Sequence, residues 1–140
     1  MTPLEIATRV AWSYLGRPYR WGGDDPLAGF DCSGFVIEIL KSAARLPLAG
    51  DWTAAGLMGK FPQHTEEPEE GCLVFWRNAG GRVNHVEYCL DATFGIGASG
   101  GRDTTTNVEA ATDQNAYIKV RPFRSRAGLA GFVNPFKEVG

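Results

Sequence analysis

The sequence predicts an α+β fold, with N-terminal helices packed on a mostly antiparallel β-sheet. Three observations carry this expectation. Helical periodicity occupies the first 45 residues, in two segments parted by an irregular loop. From Gly71 onward, short apolar runs alternate with turn residues at strand spacing. The length of 140 residues suits a single domain over 1–140, large enough to bury one core. Helices first and strands second is the arrangement in which helices cover one face of an antiparallel sheet.

The elements follow in order. Thr2-Pro3-Leu4-Glu5 is a helix start: Thr2 caps, Pro3 suits the first turn, and Glu5 completes a capping box. Leu4, Ala7, Ala11 and Tyr14 mark one apolar face, and Gly16 closes the helix. Residues 17–31, rich in Gly, Asp and aromatics, read as an irregular loop. A second helix is predicted over 33–45. Phe35, Ile39 and Ala43 form one stripe there and Val36, Leu40 and Ala44 another, a face broad enough to be deep in the core. The Pro/Gly-punctuated stretch 46–70 has room for a short helix after Thr53. Strands are expected over 72–76, 83–90, 93–98, 116–121 and 131–133, with a short helix over 107–114.

Composition narrows the function classes. A formal charge of −2 and a pI near 5.7 leave no basic footprint, so neither nucleic acid nor an anionic membrane surface is an expected partner. No apolar run approaches the ~20 residues that span a bilayer. The start Met1-Thr2-Pro3-Leu4-Glu5 has no basic and apolar regions of the secretory kind, so no signal sequence is expected. Three cysteines, Cys32, Cys72 and Cys89, are too few and too irregularly spaced for a disulfide framework or a zinc site. No metal or organic cofactor is expected. Cys72 and Cys89 lie in strand-like apolar runs and read as small buried hydrophobes.

Cys32 differs. It stands in Phe30-Asp31-Cys32-Ser33-Gly34-Phe35, where the Gly-rich loop meets the apolar helix. Unpaired N–H groups and the positive end of the helix dipole favour a thiolate there, although a buried structural cysteine fits the same position. A nucleophilic cysteine needs a base, and there are two histidines. His64, in a polar loop, reads as a surface residue. His85 lies in a strand whose alternation puts Val86, Tyr88 and Leu90 on one face and His85, Glu87 and Cys89 on the other. A histidine and a glutamate are poor core residues without partners, which points to a site. Glu87, about 7 Å along the strand from His85, either orients the imidazole or pairs with an arginine such as Arg82 or Arg102.

Taken together, Tyr14-Leu15-Gly16-Arg17-Pro18-Tyr19-Arg20-Trp21-Gly22-Gly23, then Phe30-Asp31-Cys32-Ser33-Gly34-Phe35, then Asn84-His85-Val86 resemble the NlpC/P60 family. The order, the 53-residue interval from Cys32 to His85 and the helix-then-sheet layout all match. Ile96-Gly97-Ala98-Ser99-Gly100-Gly101 with Lys119-Val120-Arg121-Pro122 resembles the branch found in bacteriophages and phage-like particles.

The resemblance implies a papain-like fold and a cysteine peptidase that cleaves the stem peptides of peptidoglycan, typically between D-glutamate and the following diamino acid. It assigns Cys32 as nucleophile and His85 as base. Tyr19 matches a residue beside the nucleophile that assists the oxyanion, and Asp31 and Ser33 match positions that hold a substrate's free amine. For Asp31 a helix N-cap is an equal and compatible reading. Trp21-Gly22-Gly23 either approaches substrate closely or only permits a turn. Phage tail proteins are implied as partners, and a phage tail or virion as location.

One departure stands out. The family's polar third residue, on the strand after the base, falls here at Gly97, which has no side chain to orient an imidazole. Either Glu87 substitutes, or a backbone carbonyl or water does, or the site is weak. The alternatives to a murein peptidase are a phage tail assembly protein that keeps the fold with little activity, and an amidase or thioesterase on another substrate.

Overall fold

The first helix starts as its capping box dictates. The Thr2 hydroxyl accepts from the Glu5 N–H at 3.1 Å, and the Thr2 N–H donates to the Glu5 carboxylate at 3.4 Å. A computed structural model describes residues 1–25, 29–48, 52–101 and 104–137. Helix α1 (Pro3–Ser13) buries Ala7 and Ala11 on the predicted face. The segment expected to be irregular holds a two-strand hairpin, β1 (Asp24–Asp25) and β2 (Gly29–Phe30).

Helix α2 (Cys32–Ser42) begins at the cysteine itself and ends earlier than predicted. Phe35, Val36, Ile39 and Leu40 are fully buried, and truncating one of them to alanine should cost about 2–5 kcal/mol. Ala44 is not part of the apolar face. It is exposed at φ 57° beyond the helix end, and the Arg45 N–H bonds the Leu40 carbonyl at 2.7 Å. That is the closing turn usually given to glycine, and periodicity alone does not reveal it. Helix α3 (Ala54–Lys60) is capped by Thr53, as expected.

All five expected strands form, with ends moved by one or two residues. They are β4 (Leu73–Arg77), β5 (Val83–Cys89), β6 (Phe94–Ser99), β7 (Tyr117–Pro122) and β8 (Leu129–Val133). Helix α4 (Val108–Asp113) precedes β7. His64 is exposed, as expected, but lies in a two-residue edge strand, β3 (His64–Thr65), and not in a loop. The six strands run in the order β3-β8-β4-β5-β6-β7, every neighbouring pair antiparallel. Packed helices and an antiparallel sheet bear out the α+β expectation.

The sheet is buried on both sides. Val86 and Tyr88 of β5 join the main core with α1 and α2, while Cys89 joins a second cluster with Cys72, Val74, Trp76, Phe123 and Phe132. The predicted alternation along β5 therefore holds, and Cys72 and Cys89 are buried free thiols. Because α2 packs on β5 and β6, its first residue meets the strand that carries His85.

Candidate active site

Local backbone chemistry fixes the start of α2. The Asp31 carboxylate accepts from the Gly34 N–H at 2.7 Å, from the Ser33 hydroxyl at 3.3 Å and from the Gly22 N–H at 3.1 Å. Asp31 is thus the N-cap, and it also ties down the Trp21–Gly23 turn. Gly34 is needed for space. A Cβ there would stand 2.0 Å from the Gly23 carbonyl oxygen. The glycines of this loop therefore serve close backbone packing and the turn.

Cys32 follows as the first helical residue. Its thiol donates to the Asn84 carbonyl at 3.8 Å, and the backbone of Val86 hydrogen-bonds to the sulfur. The sulfur lies against the strand on both sides of His85. Sequence reasoning expected the helix terminus to favour a thiolate. Instead, burial pushes the thiol up to about 11; the backbone bonds from Val86 and Ser33 pull it down, while the charges of Asp31 and Glu87 add to the rise. In this apolar setting the loss of solvation outweighs the helix end.

His85 is buried and stacks on Trp76, its cross-strand partner, with ring centroids 5.1 Å apart. Its Nε2 is 2.7 Å from Oε2 of Glu87, which is 2% exposed. Burial holds His85 below its ordinary 6.5, and the hydrogen bond and charge of Glu87 oppose that shift. Burial thus favours the uncharged form of each group, and a neutral imidazole is the form in which a histidine can accept a proton.

Glu87 contacts both kinds of partner weighed for it, the imidazole and an arginine. Besides His85, its Oε2 lies 3.7 Å from Nη2 of Arg121, and that nitrogen donates to the Ser99 hydroxyl at 2.8 Å. Arg82 is not its partner, and Arg102 lies outside the described residues. Sequence reasoning missed Arg121, Ser99 and Trp76. Strand register sets Trp76 opposite His85, and the pairing of β5, β6 and β7 brings Arg121 to Glu87 and Ser99.

A cleft of about 420 Å³ opens over the sulfur. Tyr19, Trp21, Asp31, Cys32 and Ser33 line it, as do Trp52 and Arg82; His85 and Glu87 do not. Tyr19 is buried. Burial, with the neighbouring Cys32 and Asp31, raises its hydroxyl well above the usual range, so it stays a donor. Trp21 is half exposed at the rim. Trp52 comes from the segment before α3, where the sequence showed no sign of a site.

Residues 16–122 match the sequence profile of the NlpC/P60 family. The chain belongs to the NlpC/P60 family. Among relatives of this domain, murein DD-endopeptidase MepH of Escherichia coli (strain K12) is 40% identical over 90 residues, 59% of this chain and 33% of that protein. Probable peptidoglycan endopeptidase LytE of Bacillus subtilis (strain 168) is 28% identical over 125 residues, 86% of this chain and 34% of that protein. The chain spans about a third or less of the curated relatives it matches. Among solved structures, the NlpC/p60 domain of the peptidoglycan hydrolase SagA superposes with a TM-score of 0.68 at 26% identity, covering 94% of this chain and 97% of that one. The peptidoglycan hydrolase RipB of Mycobacterium tuberculosis gives 0.70 at 27% identity, covering 98% and 66%. The NlpC/P60 domain thus has the papain-like α+β fold.

Proposed function

We propose that this chain is a cysteine endopeptidase that cleaves peptidoglycan stem peptides, with Cys32 as nucleophile, His85 as base and Glu87 as the group that orients it. One observation carries the reading. The buried 2.7 Å contact between His85 and Glu87 fixes an imidazole whose two flanking residues touch the Cys32 sulfur. A buried histidine and glutamate coupled beside a cysteine at a helix start are the parts that acyl transfer needs.

The reaction follows from these positions. His85 takes the Cys32 proton as sulfur attacks the scissile carbonyl. The Cys32 backbone N–H and the Tyr19 hydroxyl stabilise the oxyanion. Glu87 stabilises the imidazolium, which then protonates the leaving amine, and water hydrolyses the thioester through the same base. Asp31 and Ser33 hold a substrate amine beside the nucleophile, and Trp21 shapes the rim.

The bond is the one between D-glutamate and the diamino acid, in keeping with the relative named gamma-D-glutamyl-L-lysine dipeptidyl-peptidase of B. subtilis, 36% identical over 77 residues. Delivery by a phage tail or phage-like particle is supported by the likeness of 96–101 and 119–122 to that branch. Digestion of purified peptidoglycan, with products weighed by mass spectrometry, tests the reading. The wild type should release stem-peptide fragments ending at D-glutamate, and Cys32→Ala should release none. Equal release by Cys32→Ala would sink the mechanism.

A further inference from the structure

Among the described residues, two charged groups line the cleft. Among the fourteen described residues that line it, Asp31 is the sole carboxylate and Arg82 the sole basic group. Their states differ. The Asp31 carboxylate already accepts from Gly22, Ser33 and Gly34. Arg82 is exposed, and among the described residues its guanidinium has no ion-pair partner. Among the described residues, Arg82 is therefore the charged group of the cleft whose tip has no ion-pair partner.

The backbone of Arg82 is nevertheless held. Asn78 Oδ1 accepts from the N–H groups of Gly80 and Arg82, both at 3.0 Å, and the Asn78 N–H donates to the Arg82 carbonyl at 2.9 Å. This turn delivers Arg82 three residues before His85, next to the Asn84 carbonyl that touches the Cys32 sulfur. A guanidinium fixed at its root and free at its tip suits bidentate capture of a carboxylate.

We infer that Arg82 binds a substrate carboxylate adjacent to the scissile bond, and so sets the specificity of the cleft. The inference rests on the peptidase reading above. When D-glutamate is linked through its side chain, its α-carboxyl stays free beside the scissile γ-carbonyl. A stem peptide cleaved there presents an anion at the place the cation needs. Amidation of that carboxyl removes the charge and one acceptor, which leaves Arg82 without its partner.

The test uses two synthetic stem peptides that differ only in carrying a free α-carboxylate or its carboxamide at D-glutamate. Wild type should favour the carboxylate by about tenfold in kcat/KM, the scale of one charge-assisted contact. Arg82→Gln should bring that ratio to about one, chiefly through KM, while Arg82→Lys retains part of it. Arg82 is exposed and its turn is held by backbone bonds, so these variants keep the fold; unchanged circular dichroism and thermal melting check this. An equal ratio in wild type and Arg82→Gln overturns the assignment and leaves the peptidase reading standing. Failure of wild type to cleave either peptide overturns both.

Discussion

The side chain of Glu87 fills the space that a side chain at Gly97 would need. A Cβ on Gly97 would stand 2.3 Å from Cγ of Glu87 and 2.9 Å from its Cδ. The missing third residue on β6 and the glutamate on β5 are therefore one arrangement: a bare backbone on one strand admits the carboxylate of the next. Gly97→Ala should expel Glu87 from His85 and lower kcat about 10²-fold, comparable to Glu87→Ala, with about 1–3 kcal/mol of overpacking. Because both changes break one contact, the double variant Glu87→Ala/Gly97→Ala should be no slower than Glu87→Ala alone. Additive losses in kcat would show that Gly97 acts elsewhere.

The pH profile reports the same contact. Burial depresses His85, so it stays neutral and able to accept a proton somewhat below pH 6.5. The acid limb of kcat/KM should accordingly lie under 6.5. Glu87 raises His85 through its hydrogen bond and its charge. Glu87→Gln removes the charge, so the limb should move to still lower pH while kcat falls. A limb that moves up, or a fall in kcat with no movement, would contradict the assigned role.

For Cys32 the expectation concerns the free enzyme. With the thiol pushed up to about 11, the thiolate fraction keeps growing through the alkaline range. Alkylation by iodoacetamide should rise about tenfold per pH unit between pH 7 and 10, since only the thiolate reacts. A plateau of fast labelling below pH 7 would mean a resting thiolate–imidazolium pair, and the proton transfer assigned to His85 would then precede substrate binding.

Much of this site was legible before any coordinates. The helix start at Asp31-Cys32 and the alternation of β5 are local patterns, and local patterns read directly from sequence. The acidity of Cys32 was not legible. It depends on which of two opposed effects wins, and desolvation is set by everything packed around the sulfur. Nor was the partner of Glu87, because Arg121 lies two strands away and its approach depends on register across β5, β6 and β7. Gly97 could be read as a gap, but that the gap was already filled required the strands side by side. His64 pairs with Val133 across 69 residues of sequence, a contact that no short window contains.

Asp31 serves the fold and is assigned to the substrate, and one substitution separates the two. Asparagine is as good an N-cap as aspartate, so Asp31→Asn keeps the bond from Gly34 but presents an amide where the Gly22 N–H now finds an oxygen. The folded state should lose about 1 kcal/mol, read by denaturant titration. Asp31→Ala, which loses the bonds from Gly22, Ser33 and Gly34, should cost about 2–3 kcal/mol. If the carboxylate also holds a substrate amine, Asp31→Asn should raise KM about tenfold for stem peptides with a free amino terminus and leave acetylated ones unaffected. The carboxylate also raises the Cys32 thiol, so its removal should lower that thiol and speed alkylation at pH 8. Equal KM changes for free and acetylated peptides would leave Asp31 as a cap alone.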